Sequence, residues 1–343
     1  MHNRTQKHVM QSWKRSESCV VSIVCTTYNH EQYIQETIDG FVMQETDFPF
    51  EIIIHDDAST DNTPNIIEEY YLRYPDIIRP IYQKENQYSK GGFKPAVHAA
   101  SYARGKYIAI CEGDDYWISV QKLQIQVEAM ERHPEVDFSF HCAYRLRNEI
   151  REKNPFWDYG YERVLYPDSI LSTDPPRPFA PTPSYLFRRD IFFTLPDWFY
   201  EIAPVGDYFL EMYGAKRGGA LYINRPMSIY RVSVKNSWSA NHTEGSIKYF
   251  QHGKAMLKSL RLLEKDFMEY KENINAQISV YLYNIAIYHL ISKNDNLFRD
   301  SIEDSITNYS YFSCKQRILY KLRMLPFVFR LYYKFIVFIK RYI

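Results

Sequence analysis

The chain has 343 residues, of which 45% are hydrophobic and 24% charged, close to the composition of globular proteins. The formal net charge is +1, so no global field favours nucleic acid or another polyanion. The five cysteines form no C-x-x-C pair, which argues against a zinc ribbon or a disulfide framework and suits a reducing cytoplasm. No run of 18 uncharged apolar residues occurs, so we do not expect a conventional spanning helix. The polar residues 1–17 are not typical of a signal peptide.

Short apolar strands alternate with helical segments in the first half of the chain. Residues 20–26, 51–54 and 106–111 are predicted as buried parallel strands because they are short, apolar and rich in β-branched residues. Residues 77–82 are predicted as an edge strand that contains Pro80. The helices between them are predicted to begin near Asn29, Pro64, Pro95 and Ser119. This alternation predicts βαβ units and an α/β fold with a Rossmann-like, mainly parallel sheet flanked by helices.

The second half divides into a proline-rich stretch, a helical region and a tail. Residues 148–183 are predicted as one long loop that closes over a site or shapes its mouth. Residues 206–214 are predicted to begin a helix and residues 221–230 to be extended, and residues 247–293 show helical periodicity. The predicted domains are residues 18–245 (halves 18–145 and 146–245), a helical region 246–314 and a tail 315–343.

The tail, residues 315–343, carries basic and large apolar side chains and no acid. This composition is typical of a segment that lies at the interface of an anionic membrane. It predicts a cytoplasmic protein with peripheral contact to the inner face of the membrane. The alternative is a helix that packs on the domain with a solvated basic face.

Polar clusters follow three of the predicted strands, at residues 26–30, 56–59 and 112–115. In open parallel sheets, ligands bind beyond the carboxyl ends of the strands. Because these clusters fall at three such ends, the sequence predicts a binding site at one edge of the sheet.

Three acids lie within four residues at the end of the third strand: Glu112, Asp114 and Asp115. Their mutual repulsion would be relieved by a divalent cation, and hard oxygen ligands suit Mn²⁺ or Mg²⁺. The alternative is a solvated turn with a capping aspartate. An acid at Asp56 or Asp57 could accept hydrogen bonds from a base or a ribose, or could cap the following helix.

Residues 21–30, 51–61 and 105–117 resemble the family 2 glycosyltransferases, which are inverting enzymes of the GT-A fold. The resemblance covers roughly residues 18–240. It implies a GT-A-type sheet followed by a helical C-terminal region. It also implies transfer of a sugar from a nucleotide-sugar donor to a hydroxyl of a glycan or lipid-linked acceptor, in surface polysaccharide or glycan assembly.

The same resemblance implies roles for the residues at the first two strand ends. Thr26, Tyr28 and Asp57 (or Asp56) would hold the nucleobase and ribose of the donor.

At the third strand end, Glu112 and Asp114 stand where the family has its metal-binding D-x-D motif, with Asp115 near the donor sugar. Glu112 replaces the commoner aspartate but still presents a carboxylate.

Acceptor-side segments of the family are matched at residues 181–189 and 205–208. The match makes Asp207 the candidate catalytic base, although an isolated aspartate before a helix is most often a cap. In a later element, many relatives have histidine where this chain has Ser233, and Arg231 could pair with a phosphate.

Other classes fit the sequence less well. It contains neither G-x-G-x-x-G nor G-x-x-x-x-G-K-[ST], which argues against dinucleotide and P-loop sites. A sugar nucleotidyltransferase would have a glycine- and arginine-rich loop after the first strand, and a glycoside hydrolase would need no nucleotide pocket. His55, His98 and His141 lack metal-site spacing. The alternative from another class is a non-catalytic, membrane-associated binding or scaffolding protein on the same fold.

Overall fold

The structure of the protein, a computed structural model, describes seven stretches of the chain. They are residues 4–15, 18–154, 157–173, 179–232, 246–307, 309 and 313–331. The chain forms two compact units. The sheet unit comprises Met1–Ile170, Pro178–Glu201 and Val205–Val234, and the helical unit comprises Leu171–Arg177, Ile202–Pro204 and Lys235–Ile343.

A mixed sheet forms the centre of the sheet unit. Its strands are β1 (Val21–Thr27), β2 (Phe50–Asp56), β3 (Ile78–Tyr82), β4 (Tyr107–Glu112), β5 (Tyr116–Trp117), β6 (Phe138–Arg147), β7 (Ile150–Lys153), β8 (Arg163–Leu165), β9 (Leu186–Arg188) and β10 (Ala220–Arg231). Their order is β3-β2-β1-β4-β9-β6-β10-β5, with β7 beside β6 and β8 beside β10. The α/β class predicted from the sequence is confirmed.

The first four strands in this order are parallel, as their apolar sequences predict. Ile23 and Ile52 are completely buried, and burial of one such side chain contributes about 1.5–3 kcal/mol. Cys25 and Cys111 are buried free thiols in the same layer and pack as small apolar side chains. Pro80 lies on the edge strand β3, where its missing N–H breaks no central ladder.

Beyond β4 the sheet changes direction. Strand β9 is antiparallel to both β4 and β6, while β10 runs parallel to β6 with an irregular register between Ile223 and Ser228. The prediction of one long loop over residues 148–183 is therefore wrong in part, because β7, β8 and a short helix lie within it. These elements have three or four residues each, too few for a periodic pattern to show in the sequence.

Helices cover the sheet and build the helical unit. They are α1 (Gln6–Met10), α2 (Ile34–Val42), α3 (Thr63–Arg73), α4 (Pro95–Ala100), α5 (Lys122–Arg132), α6 (Pro167–Ile170), α7 (Asp197–Glu201), α8 (Asp207–Ala215), α9 (Ile247–Asp266), α10 (Lys271–Ile291), α11 (Asp295–Thr307) and α12 (Cys314–Lys321). Pro64 and Pro95 lie in first turns as predicted.

The prediction that Asn29 caps the first long helix is wrong. Helix α2 begins at Ile34 with Tyr33 as its N-cap. Asn29 instead has a φ of 56°, a left-handed conformation that asparagine tolerates better than most residues. Its side chain accepts a hydrogen bond from the backbone N–H of Thr60 at 2.7 Å.

The helical unit has its own apolar cluster, which includes Leu290, Phe298, Ile302 and Leu319. Helix α12 begins with a capping box between Ser313 and Gln316. Within the described residues, none of the helices has both the length and the apolar character needed to cross a bilayer. The predicted domain boundaries and the membrane contact of the tail stay predictions, and residues 332–343 of the tail lie outside the described residues.

Two helical glycines should respond oppositely to alanine. A Cβ on Gly214 would lie 2.6 Å from Phe187 Cε1 and 2.8 Å from Phe138 Cβ, so Gly214→Ala should lower the free energy of unfolding by about 1–3 kcal/mol. A Cβ on Gly253 would meet Ile285 at an ordinary 3.6 Å, so Gly253→Ala should be neutral or raise stability by up to about 1 kcal/mol. Denaturant unfolding followed by circular dichroism measures both, and equal effects would contradict the packing described.

Candidate active site

The parallel register brings three strand ends to one edge of the sheet. Thr26 lies opposite His55 on one side and Glu112 on the other. The backbone N–H of Gly113 donates to the carbonyl of Thr26 at 2.9 Å, and that of Asp57 donates to the carbonyl of Thr27 at 3.0 Å. The loops after β1, β2 and β4 therefore begin side by side, as the sequence predicts.

Hydrogen bonds between backbone N–H groups and side-chain oxygens connect the loops after β1 and β2. The Asn29 N–H donates to Ser59 Oγ at 2.8 Å, and the Thr60 N–H donates to Asn29 Oδ1 at 2.7 Å. Asn29 and Ala58 both have positive φ, at 56° and 63°, which are strained conformations of the kind that cluster at functional sites. Tyr28, the residue before Asn29, is 42% exposed. Its ring is thus available to a ligand at this edge.

The adjacent acids Asp56 and Asp57 have different hydrogen-bond partners. Both Asp56 oxygens accept from Ser59, one from its N–H at 3.0 Å and one from its hydroxyl at 2.5 Å. Asp57 accepts the N–H groups of Gln87 and Tyr88 at 2.8 and 3.0 Å. Both acids are buried. The Asp56 carboxylate therefore stabilises the turn that follows β2. The Asp57 carboxylate holds the loop that contains Gln87 and Tyr88.

Glu112, Asp114 and Asp115 present carboxylate oxygens within 4.8 Å of one another. The loop that carries them is held from α2 by the Thr37 hydroxyl, which lies 2.6 Å from the carbonyl oxygen of Asp115 and 3.0 Å from that of Gly113. A Cβ on Gly113 would lie 2.7 Å from Thr27 Oγ1, so only glycine fits between the two loops. The three acids are therefore held together by backbone contacts.

The electrostatics of this acidic cluster favour a bound cation. Burial, followed by the charges of Asp114 and Asp207, raises the pKa of Glu112 to about 8. Burial and the charges of Asp114 and Glu112 raise the pKa of Asp115 well above its usual range. One Asp115 oxygen, Oδ2, is buried and has no hydrogen-bond partner among the described residues. Hard oxygen donors with an unsatisfied carboxylate fit a divalent cation such as Mn²⁺ or Mg²⁺.

Arg231, at the end of β10, also holds the loop that carries Asp114 and Asp115. Its backbone N–H donates to Asp115 Oδ1 at 2.7 Å and its guanidinium donates to the carbonyl of Asp114 at 2.5 Å. The guanidinium also pairs with Glu36 of α2 and lies 4.4 Å from the centre of the Tyr116 ring. In this structure Arg231 positions the acidic loop and is also paired with Glu36.

Asp207 is the first residue of α8, and its carboxylate accepts the Tyr208 N–H at 2.8 Å. The side chain is exposed to solvent, yet the surrounding protein raises its pKa through desolvation. Its charge also raises the pKa values of Glu112 and Tyr230. Asp207 therefore lies close enough to the acidic cluster for its charge to act on Glu112, although it follows that cluster by more than ninety residues in the sequence.

Several residues of this edge were not predicted from the sequence. Thr37 and Glu36 lie on the helix after β1 and hold the acidic loop directly or through Arg231. Tyr88 is half exposed, and its pKa is raised by burial and by the charges of Glu112 and Asp207. No local motif identifies them, since only the fold brings them to the site. The predicted departure at Ser233 lies outside the described residues.

The histidines were predicted to be ordinary residues. His55 and His98 pack edge to face, 5.4 Å apart between ring centres, and both also contact the ring of Phe93. His141 is completely buried, and burial lowers its pKa. These surroundings agree with a packing role for each of them.

Sequence comparison finds relatives over most of the chain. The family model described as glycosyl transferase family 2 matches residues 22–194. The uncharacterized protein Rv1520 of Mycobacterium tuberculosis is 36% identical over 243 residues, which is 71% of this chain and 67% of that protein. The uncharacterized glycosyltransferase alr2836 of Nostoc sp. is 34% identical over 176 residues, covering 50% of this chain and 51% of that protein.

Comparison with solved structures confirms the fold. S. aureus TarS in complex with UDP-GlcNAc superposes with a TM-score of 0.63 at 17% identity, covering 90% of this chain and 86% of that chain. The mannosyltransferase PcManGT from Pyrobaculum calidifontis, in complex with GDP-Man and Mn²⁺, gives a TM-score of 0.54 at 16% identity, with coverages of 96% and 94%. At these identities the likeness shows a shared GT-A-type architecture.

Stability without divalent cations should fall as the pH rises from about 5 to 8. The folded-state pKa of Glu112, about 8, exceeds its ordinary value of 4.5, so between these values the folded protein holds a proton that the unfolded chain releases. We expect a loss of roughly 1–3 kcal/mol over this range in the presence of a chelator.

Glu112→Gln should reduce the slope without abolishing it, because the pKa of Asp115 is raised as well. Denaturant unfolding at several pH values measures the effect. A stability that is flat or rises over this range in the unsubstituted protein would contradict the electrostatics described.

Proposed function

The chain belongs to glycosyl transferase family 2, and from this membership we propose that it transfers a sugar from a nucleotide-sugar donor to a hydroxyl of a glycan or lipid-linked acceptor, with inversion at the anomeric carbon. One observation carries the proposal. The acidic cluster of Glu112, Asp114 and Asp115 and the separate carboxylate of Asp207 lie at the same edge of the sheet. A metal-bound leaving group and a base require such a pairing.

The donor nucleotide is assigned to the loops after β1 and β2. Thr26 and the exposed ring of Tyr28 would contact the nucleoside, and Asp57 would accept a hydrogen bond from it. Asp57 is the stronger candidate of the two adjacent acids because both oxygens of Asp56 are bonded to Ser59. The neighbours TarS and PcManGT hold UDP-GlcNAc and GDP-Man, which supports a nucleotide-sugar donor without naming its base or sugar.

The acidic cluster would hold a divalent cation, Mn²⁺ or Mg²⁺, chiefly through Asp114 and Glu112. When bound, such an ion neutralises the charge of the departing nucleoside diphosphate. Asp115 would lie beside the donor sugar, held by the Arg231 N–H. Arg231 positions this loop, and we assign its guanidinium to a contact with the diphosphate.

Asp207 is proposed as the catalytic base. It would accept the proton of the acceptor hydroxyl while that oxygen bonds to the anomeric carbon, and the bond from this carbon to the diphosphate oxygen breaks with its electron pair on the leaving group. Desolvation raises the pKa of Asp207, which strengthens it as a base. The alternative of a non-catalytic scaffold is not favoured, because this chain matches the glycosyl transferase family 2 model and a relative is named a glycosyltransferase.

Peripheral membrane contact through the tail remains part of the proposal. Leu322, Leu325 and Phe327 are exposed near Arg323 and Arg330. Exposed apolar side chains interleaved with cations suit an anionic membrane surface.

Asp207→Asn should lower sugar transfer by about 10²–10⁴-fold, because the amide cannot take a proton, while nucleoside diphosphate binding is retained. Asp168→Asn is the matched control, since Asp168 also lies in the first turn of a short helix and accepts the next N–H at 2.8 Å. Transfer assays with calorimetric titration of UDP and GDP measure both properties. Unchanged turnover of Asp207→Asn would remove the assignment.

Asp114→Asn should abolish the cation-dependent part of nucleotide binding. In the unsubstituted protein, UDP or GDP with Mn²⁺ at about 100 times its Kd should stabilise the fold by about 2.7 kcal/mol. The variant should lose this thermal shift while folding normally, since Asp114 is half-buried and provides the fold with no side-chain hydrogen bond among those described. A shift that persists in the variant, or one that a chelator does not remove, would contradict the metal site.

A further inference from the structure

A groove with a volume of about 400 Å³ runs along the flank of the sheet unit. This size falls in the range of about 300–1,000 Å³ that is typical of small-ligand sites. The groove is lined by Gly92, Phe93, Lys94, Val97, His98, Ser101, Phe192, Phe193 and Tyr200. None of these residues has a role in the donor site described above.

Two walls form the groove. One is α4 with the residues before it, and the other consists of the 3-10 turn Arg189–Phe193 together with α7. The walls approach at Gly92, where a Cβ would lie 3.7 Å from the carbonyl oxygen of Tyr200. Gly92 has a φ of +74°, so glycine is favoured at this narrow point.

One end of the groove lies next to the proposed base. A Cβ on Gly206, the residue before Asp207, would lie 3.9 Å from both Lys94 Cδ and Phe199 Cζ. Helix α4 precedes the parallel strand β4 and leads back from the carboxyl edge of the sheet. The groove therefore extends away from Asp207 along α4, whose six residues span about 9 Å. This length exceeds that of a single pyranose ring.

The lining is amphipathic in a way that suits a sugar chain. Phe193 and Tyr200 line the groove and are 59% and 36% exposed, and exposed aromatic faces pack against apolar C–H faces. Lys94, His98 and Ser101 also line the groove and carry groups that can hydrogen-bond to hydroxyls. A lipid chain offers no hydrogen-bonding groups to these side chains, whereas the hydroxyls of a sugar do.

We propose that the acceptor is an oligosaccharide of two or more sugar units, whose chain lies in this groove while its terminal hydroxyl meets Asp207. The inference rests on the proposed function, because it takes the edge at Asp207 as the reaction centre. It adds that recognition extends beyond the reacting sugar, so acceptor length contributes to binding.

The test compares Phe193→Ala and Tyr200→Ala with Tyr161→Ala as the control. Tyr161 is a tyrosine of the same unit that is 66% exposed and lies outside the groove. A panel of mono-, di- and trisaccharides is supplied as acceptors with the donor nucleotide sugar and Mn²⁺. Donor hydrolysis without an acceptor is measured separately.

We expect di- and trisaccharides to be used and monosaccharides to be poor acceptors. Each groove variant should raise the acceptor KM by about 3- to 10-fold, with donor hydrolysis and the Tyr161→Ala control unchanged. Equal use of monosaccharides, no use of any oligosaccharide, or a wild-type KM in both groove variants would overturn the inference. Absence of donor hydrolysis in the unsubstituted protein would instead count against the proposed function itself.

Discussion

The carboxylates of Glu112, Asp114 and Asp115 lie within 4.8 Å of one another at the carboxyl edge of the sheet. Like charges at this distance repel, so the carboxylates alone do not stabilise the fold. Contacts from other parts of the chain hold them together. Thr37 holds the backbone of the loop, and Arg231 clamps Asp115 and the carbonyl of Asp114. Helix α2 and strand β10 bring these two residues to the loop.

The positions of the loops after β2 and β4 at one edge of the sheet were predictable because their determinants are local. Buried β-branched strands that end in acids identify the loops after β2 and β4 without any knowledge of the fold. The contacts that hold the acidic loop from distant elements could not be predicted, and the ion pair between Glu36 and Arg231 is an example. The groove on the flank of the sheet unit could not be predicted either. No local motif marks Phe193 and Tyr200, and only the fold places them in one groove with residues of α4. Short strands such as β8 also escape detection, because three residues carry no readable period.

Asp56 and Asp57 illustrate why adjacent identical residues cannot be separated by sequence pattern. Alternation along the strand end sends their side chains in different directions. Asp56 closes its own turn through Ser59, and Asp57 reaches the backbone of Gln87 and Tyr88. Each Asp57 oxygen retains a second lone pair, so a nucleobase could bond there without dismantling the anchored loop.

The contacts of Arg231 span 116 and 117 residues to the acidic loop and 195 residues to Glu36. Contacts of such sequence separation close large loops and slow folding. During synthesis, β1, β2 and β4 emerge well before β10, so a nascent chain can pair its parallel strands while the acidic loop still lacks its clamp. The parallel strands β1, β2 and β4 are therefore complete before Arg231 is available, and a truncated or stalled chain that ends before Arg231 would carry the carboxylates without the side chain that holds their loop.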